Sequence, residues 1–278
     1  MPDTTITLYG ATGVATVTPH FVFPSGTVKV YVEDIYIKDL TSHVHDSISL
    51  TVGQKLQYVC SNWNSITEID ISTDKVSGDI SGWILPTSLL NFFVNSTSIS
   101  GDISGWVLPA SLAYFYVYST SVSGNISGLV LPASLVTFYV YSTNIKYDSS
   151  NLSRKRRRGA FTYLTTTLTK VDFDGCKLTC DQVDNVLADC VISQSLTNEL
   201  DVGGTNAPPT INGLRSKMTL EARGWTVSVT AGVSIQKFKR NFVELWATAG
   251  GAPAAVHKFG SLYRSEKIEQ KIGMFAEI

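Results

Sequence analysis

Three consecutive segments of the chain are almost copies of one another, and this repetition constrains the fold more than any other feature. They read SGDISGWILPTSLLNFFVNSTSI, SGDISGWVLPASLAYFYVYSTSV and SGNISGLVLPASLVTFYVYSTNI. Gly78, Gly101 and Gly124 follow one another at a constant step of 23 residues. A fixed period of this length is typical of proteins that stack similar structural units, each of which contacts its neighbours.

Each unit places apolar residues at the spacing of the template L-x-x-L-x-L-x-x-N-x-L, with threonine where asparagine or cysteine is usual. The positions are filled by Leu89, Phe92, Val94, Thr97 and Ile99, by Leu112, Phe115, Val117, Thr120 and Val122, and by Leu135, Phe138, Val140, Thr143 and Ile145. We expect the threonine hydroxyl to take over part of the hydrogen bonding to backbone groups inside the turn.

This pattern resembles the leucine-rich repeat family, and LPxSLxxFxV is most similar to the bacterial type of repeat. More narrowly, the stretches SGDISGW, LTKVDF and TLEARGWTV resemble leucine-rich-repeat proteins encoded by bacteriophages and prophages of gut and anaerobic bacteria. The resemblance implies a solenoid in which each unit gives one strand to a parallel sheet. Because SGDISGW is unlike the helical convex side usual in the family, we expect extended or turn structure there.

Weaker copies flank the three clear ones. SITEIDISTDKV precedes them, and TLTKVDFDGCKL, ELDVGGTN and GWTVSV follow them. Cys176 falls on the Asn/Cys position of the template, which favours a buried structural role. The two segments between the later copies predict helices, with Thr179 as an N-cap and Gly224 as a stop. The predicted apolar faces are Val183, Val186 and Leu187 in the first helix and Leu214, Met218 and Ala222 in the second.

Residues 1–60 do not fit the repeat. TITLYG, TVTPHFVF and TVKVYVEDIYIK alternate apolar and polar residues, and PSG between the last two predicts a hairpin turn. This pattern indicates a small antiparallel β domain for attachment, or an enlarged N-terminal cap. His43 and His45 would share one face of a strand, but no third metal ligand is evident, so we favour ordinary loop histidines.

Residues 231–278 lie beyond the repeats and carry two helical stripes. The stripes are Ile235, Phe238, Phe242 and Leu245, and Ile268, Ile272 and Phe275. They predict a helical C-terminal extension that either caps the last repeat or docks onto neighbouring subunits. The predicted fold is therefore a β-rich α/β solenoid over residues 61–230, with helices in the later repeats and these two terminal segments.

Between the inward positions, each strand has positions that should point out of the concave face, and these can be read in columns. The columns are Glu68, Asn91, Tyr114, Thr137 and Lys170; Asp70, Phe93, Tyr116, Tyr139 and Asp172; and Ser72, Asn95, Tyr118, Tyr141 and Asp174. Aromatic residues fill the middle, and acidic residues flank them at both ends. Tyrosine offers a large contact area with few rotatable bonds.

We therefore predict a partner-binding surface made of Phe93, Tyr114, Tyr116, Tyr118, Tyr139 and Tyr141. Its partner would be a protein loop or a glycan. Two alternatives stay open at this point: the rings stabilise strand pairing, or they pack against another subunit.

An insertion near residues 151–160 breaks the period with the run Arg154, Lys155, Arg156, Arg157 and Arg158. This run could bind a phosphate-rich ligand or an acidic patch on a partner, and a solvated loop is the alternative. No aromatic residue interleaves with it, so specific recognition of nucleic acid is not expected.

No motif of a known catalytic or nucleotide-binding site occurs, and the net charge of −1 indicates no general attraction to nucleic acid or membranes. Cys60, Cys176, Cys180 and Cys190 form no CxxC pair, so we predict reduced thiols, no metal and no cofactor. The first residues lack the features of a signal peptide, and no apolar run is long enough to span a membrane.

The functional hypothesis is a non-enzymatic structural and binding protein of a phage-like virion, made in the host cytoplasm. Its partners would be other virion proteins or further copies, held through the two ends, and a glycan or protein of the host surface. The alternative is a bacterial leucine-rich-repeat binding or adhesin module outside any virion.

Overall fold

The computed structural model describes residues 4–11, 13, 15–148, 167–193 and 198–232 of the chain. Within these residues the fold is of the β-rich α/β class, with two eight-stranded sheets, one two-stranded sheet and two α-helices. We name the eight-stranded sheets sheet 1 and sheet 2. The basic run Arg154–Arg158 and both stripes of the C-terminal extension lie outside the described residues.

The strands are numbered in chain order. Sheet 1 contains β1 (Thr4–Gly10), β4 (Val28–Val32), β5 (Ile35–Asp39), β7 (Lys55–Cys60), β9 (Val76–Asp79), β11 (Ser98–Asp102), β13 (Ser121–Asn125) and β15 (Asn144–Lys146). Sheet 2 contains β3 (His20–Val22), β8 (Glu68–Asp70), β10 (Asn91–Phe93), β12 (Tyr114–Tyr116), β14 (Thr137–Tyr139), β16 (Lys170–Asp172), β17 (Glu199–Val202) and β18 (Thr226–Val229). The two-stranded sheet pairs β2 (Ala15–Val17) with β6 (Ile48–Leu50).

Each 23-residue unit contributes one strand to sheet 2 and one to sheet 1. In sheet 2, Phe92 is in register with Phe115, and Phe115 with Phe138, across parallel strands. Strands β9, β11, β13 and β15 form a second parallel ladder in sheet 1. The extended structure expected for the SGDISGW side of the units is therefore present. The weaker copies are also confirmed as strands of sheet 2, where they form β8, β16, β17 and β18.

The inward positions of the repeat form the core. Phe92, Phe115 and Phe138 are fully buried, and Phe115 stacks on the other two with ring centroids 5.6 and 5.2 Å apart. The indole of Trp106 meets Phe115 edge-on. The buried apolar side chains of the N-terminal strands belong to the same cluster, so one continuous core joins them to the repeats.

The threonine of each unit closes its turn as expected. Thr120 Oγ1 donates a hydrogen bond to the carbonyl of Val117 at 2.6 Å and accepts one from the N–H of Val122 at 3.3 Å. Thr143 makes the same pair of contacts. At the equivalent position, the buried thiol of Cys176 donates to the carbonyl of Val140 in the preceding unit, which confirms its structural role.

Residues 4–60 extend both sheets rather than pairing only among themselves. β1 pairs with β7 and continues sheet 1 by pairing with β9, whereas β3 pairs antiparallel with β8 and ends sheet 2. The predicted hairpin across Pro24–Gly26 is therefore wrong, because that turn passes from sheet 2 to sheet 1. The reason is that β3 satisfies the backbone groups that would otherwise be open along the edge of β8.

Both predicted helices are present, as α1 (Cys180–Ile192) and α2 (Ile211–Glu221). Thr179 caps α1 in a capping box with Gln182, and Val183, Val186 and Leu187 are buried. In α2 the predicted face is wrong, because Gly213 and Leu220 are buried while Met218 is 56% exposed. A methyl group on Gly213 would lie 2.1 Å from the carboxylate of Asp184, so α2 makes its closest approach through a residue without a side chain.

Neither helix, within the part of the chain that the structure describes, is long and apolar enough to cross a membrane.

Candidate functional site

The candidate site is the outer face of sheet 2, where the predicted aromatic residues lie side by side. Phe93, Tyr116 and Tyr139 occupy neighbouring strands in register, with ring centroids 4.8 and 4.7 Å apart. Tyr118 stacks on Tyr141 at 4.3 Å with an interplanar angle of 11°. We call these five residues, together with Tyr114, the aromatic surface.

The two faces of each strand have opposite roles because successive side chains point to opposite sides of a sheet. In β12, Phe115 points into the core and is fully buried, whereas Tyr114 is 36% exposed and Tyr116 half-buried. Tyr114 contacts Tyr116 at 6.3 Å, and Tyr118 contacts Tyr116 at 6.1 Å, so the rows are joined along the strand as well as across strands. All six predicted aromatic residues are therefore brought together.

Packing of the rings against one another raises the pKa of two of the tyrosine hydroxyl groups. Partial burial, followed by the neighbouring hydroxyl of Tyr118, raises the pKa of Tyr141 to about 12. Burial also raises the pKa of Tyr139. Both phenols therefore stay protonated at neutral pH, and the hydroxyl of Tyr141 is hydrogen-bonded to that of Tyr118.

An acidic border lies on the N-terminal side of the aromatic surface. Glu68 and Asp70 of β8 precede the rings, and one oxygen of Glu68 accepts a 2.5 Å hydrogen bond from the side-chain amide of Asn91. The other oxygen of Glu68 lies 2.7 Å from Nδ1 of His20, whose ring stacks on that of His45 at 4.5 Å. His43, by contrast, is exposed in a turn with φ of +66°.

A second acidic border lies on the C-terminal side, on β16, β17 and the turns that follow them. It consists of Asp172, Asp174, Glu199 and Asp201, with Lys170 among them. Nζ of Lys170 lies 2.6 Å from Oε1 of Glu199 and 5.5 Å from the centre of the Tyr139 ring. The hydrogen bond to Glu199 raises the pKa of Lys170, so this ammonium group is charged at neutral pH.

The border aspartates also have a local structural role. Asp70, Asp172 and Asp201 each accept, through one oxygen, the backbone N–H two residues ahead, at 2.8 to 2.9 Å. Burial, with the nearby carboxylate of Asp201, raises the pKa of Asp172 to about 6 in spite of that hydrogen bond. The second oxygen of each carboxylate takes no part in this turn contact.

Sequence reasoning placed the aromatic residues and the border residues Glu68, Asp70, Asp172 and Asp174, but it missed Glu199 and Asp201 of β17 and the contact of His20 with Glu68. The sequence gives no signal for this contact, because it depends on the pairing of β3 with β8 across 48 residues. The predicted basic site at Arg154–Arg158 lies outside the described residues. Among the residues that the structure describes, no group of three or more His, Cys, Asp or Glu side chains could hold a metal ion.

The arrangement can do two things chemically. Stacked rings offer apolar faces and hydroxyl groups to a ligand, and the carboxylates at both ends attract cations or accept hydrogen bonds. No family model, no curated protein and no solved structure matches this chain.

Proposed function

We propose that this chain is a non-enzymatic binding module built as a leucine-rich-repeat solenoid, whose aromatic surface contacts another macromolecule. The observation that carries this proposal is the pair of ring stacks on an open sheet face, Phe93–Tyr116–Tyr139 and Tyr118–Tyr141. The 23-residue units and their two parallel ladders support the solenoid architecture.

The proportions of the surface favour binding over simple stabilisation of the sheet. Strand pairing gains only about 0.2–1 kcal/mol from each cross-strand pair, and a pair of one aromatic and one β-branched residue falls in the same range as a pair of two rings. The chain instead places six large rings in one contiguous patch, and aromatic patches of this kind mark interaction sites. The buried Phe92, Phe115 and Phe138 already stabilise the same strands from the other side.

The setting in which the module acts is a separate part of the proposal. From its resemblance to phage-encoded repeat proteins, we propose that the chain is a component of a phage-like virion, where the surface contacts another virion protein or the host surface. The alternative is a bacterial binding or adhesin module outside a virion. Co-sedimentation of the chain with purified particles from its source supports the first setting, and its absence from them supports the second.

The binding function is tested with immobilised panels of short peptides and oligosaccharides. The full chain is compared with the triple variant Tyr116→Ala/Tyr139→Ala/Tyr141→Ala, and with Tyr9→Ala/Tyr36→Ala as a control that removes exposed tyrosines of sheet 1. We expect at least one class of probe to bind the wild type and the control with the same affinity. The triple variant should bind that probe at least about tenfold more weakly, which corresponds to a loss of about 1.4 kcal/mol in binding free energy. Equal binding by all three chains on every probe contradicts the proposal.

A further inference from the structure

Among the residues that the structure describes, the outer face of sheet 2 carries an excess of acidic side chains, although the net charge of the whole chain is only −1. Across the outward positions of its seven parallel strands and the turns that follow them, the acidic residues are Glu68, Asp70, Asp172, Asp174, Glu199 and Asp201. The one basic residue at the outward strand positions is Lys170, while the exposed Lys75 and Lys177 lie farther along the turns that follow β8 and β16. Negative charge is thus concentrated at the two ends of the aromatic surface, while the net charge of the chain is only −1.

Lys170 shows how this face holds a cation. Its ammonium group sits 5.5 Å from the ring centre of Tyr139 and makes an ion pair with Glu199 at 2.6 Å. A cation over an aromatic face gains about 0.5–1 kcal/mol at an exposed site, and more where water is excluded. Tyr116 and Tyr118 present further tyrosine rings on the same face, and Asp172 places a carboxylate one strand from Tyr139.

We propose that the aromatic surface binds an extended polypeptide segment that carries lysine or arginine at both ends of a short neutral stretch. This inference rests on the proposed binding function and specifies its partner. The rings take up the neutral stretch, and the carboxylates at the two borders pair with the cationic ends.

The spacing of the borders sets the length of the segment. Asp70 and Asp172 lie on β8 and β16, which are separated by four strand-to-strand steps. At about 4.8 Å for each step, the borders are about 19 Å apart. An extended chain advances about 3.3 Å for each residue, so cationic residues about six positions apart reach both borders. Electrostatic complementarity of this kind raises association rates and discriminates between partners.

The probe is a fluorescently labelled heptapeptide with lysine at both ends and five neutral residues between, followed by anisotropy with the full chain. Two matched peptides carry glutamine or glutamate at the ends. We expect the lysine peptide to bind at least about tenfold more tightly than the glutamine peptide, and the glutamate peptide to show no saturable binding. Raising the salt concentration from about 0.05 M to about 0.5 M should weaken binding of the lysine peptide more than binding of the glutamine peptide, because exposed charges are screened within a few ångströms at high salt.

Two variants separate the charge of this face from charge elsewhere. Asp70→Asn/Asp172→Asn removes two border charges but keeps the side-chain oxygen that accepts the backbone N–H two residues ahead. Asp79→Asn/Asp102→Asn makes the same change on sheet 1, where both aspartates accept the same kind of contact at 2.8 Å. We expect the first variant to bind the lysine peptide at least about tenfold more weakly than the wild type does, and the second variant to bind it with unchanged affinity.

The possible results distinguish this inference from the function on which it rests. If the three peptides bind equally, or if both aspartate variants behave alike, the cationic partner is wrong. If a neutral oligosaccharide binds in a tyrosine-dependent, salt-insensitive way while the lysine peptide does not, the partner is a glycan and the binding function survives. If the triple tyrosine variant changes no binding at all, the proposed function itself fails.

Discussion

Replacing a ring on either side of strand β12 should have very different effects on stability. Phe115 is fully buried between Phe92 and Phe138, so Phe115→Ala leaves a cavity in the core. Substitutions of this kind cost about 3–5 kcal/mol. Tyr116 lies next to it in the chain but on the open face, where it contacts Phe93 and Tyr139. Its two cross-strand pairs are worth about 0.2–1 kcal/mol each, so we expect Tyr116→Ala to cost about 2 kcal/mol, less than the core substitution.

The assay is urea unfolding of the full chain, followed by circular dichroism and tryptophan fluorescence. We expect the free energy of unfolding to fall by at least about 1–2 kcal/mol more for Phe115→Ala than for Tyr116→Ala, with similar dependence on urea concentration. Phe115→Leu keeps most of the apolar volume and serves as the control, with a cost below that of the alanine variant. Equal losses for the two alanine variants would show that the tyrosine row contributes to stability as much as the buried row does, which contradicts the different roles assigned to the two faces.

Three further predictions concern the turn, the glycine and a buried carboxyl group. Thr120→Val should lower the free energy of unfolding by about 1–2 kcal/mol in urea titrations, because the carbonyl of Val117 loses its 2.6 Å hydrogen bond. Gly124→Ala should lower the melting temperature sharply, because φ is +116° at this position and the new methyl group would lie 2.3 Å from the carboxylate of Asp102. A melting temperature equal to that of the wild type within error would argue against this backbone conformation. Burial raises the pKa of Asp74 to about 6, so the folded chain holds its proton more tightly than the unfolded chain does, and stability should decrease as pH rises from about 4 to about 7. The free energy of unfolding of wild type and Asp74→Asn is measured at both pH values. The variant should lack up to about 3 kcal/mol of the wild type's loss of stability, and an unchanged pH profile would contradict the assignment to Asp74.

The period of the sequence predicted the central strands and their register because one set of contacts recurs at every step. The same periodicity assigned Phe115 to the core and Tyr116 to the open face, since side chains alternate along a strand. The threonine contact was also predictable, because a hydroxyl at that position has a backbone carbonyl within reach. Where a unit repeats, a local pattern is enough to define long-range pairing.

The errors occurred where a contact depends on one pair of elements only. The turn at Pro24–Gly26 looks like a hairpin turn locally, but the open edge of β8 draws β3 into the other sheet. In α2, the apolar stripe suggested Met218, whereas the helix packs through Gly213 against Asp184. A rule that selects large apolar residues cannot find a contact whose requirement is the absence of a side chain.

One position of six successive units has a left-handed backbone conformation that the residue types of the clear copies do not reveal. Thr73, Ser96, Ser119 and Ser142 occupy the same position of successive units with φ between 53° and 62°. The next two units place Gly175 and Gly204 there, with φ of 69° and 62°. Serine and threonine are not typical of left-handed backbone, so the sequence indicates this conformation only through the two glycines.

The proposed function requires that sheet 2 has one buried row of rings and one row that is open to a partner. Hydroxyl-radical footprinting of the full chain distinguishes the two rows, when it is read by mass spectrometry at a concentration where light scattering shows a monomer. We predict oxidation of Tyr114, Tyr116 and Tyr141 and protection of Phe92 and Phe115, with the tyrosines becoming protected when the lysine peptide is added. Equal protection of both rows in the free monomer would contradict the account, because the aromatic surface would then be covered within the chain itself.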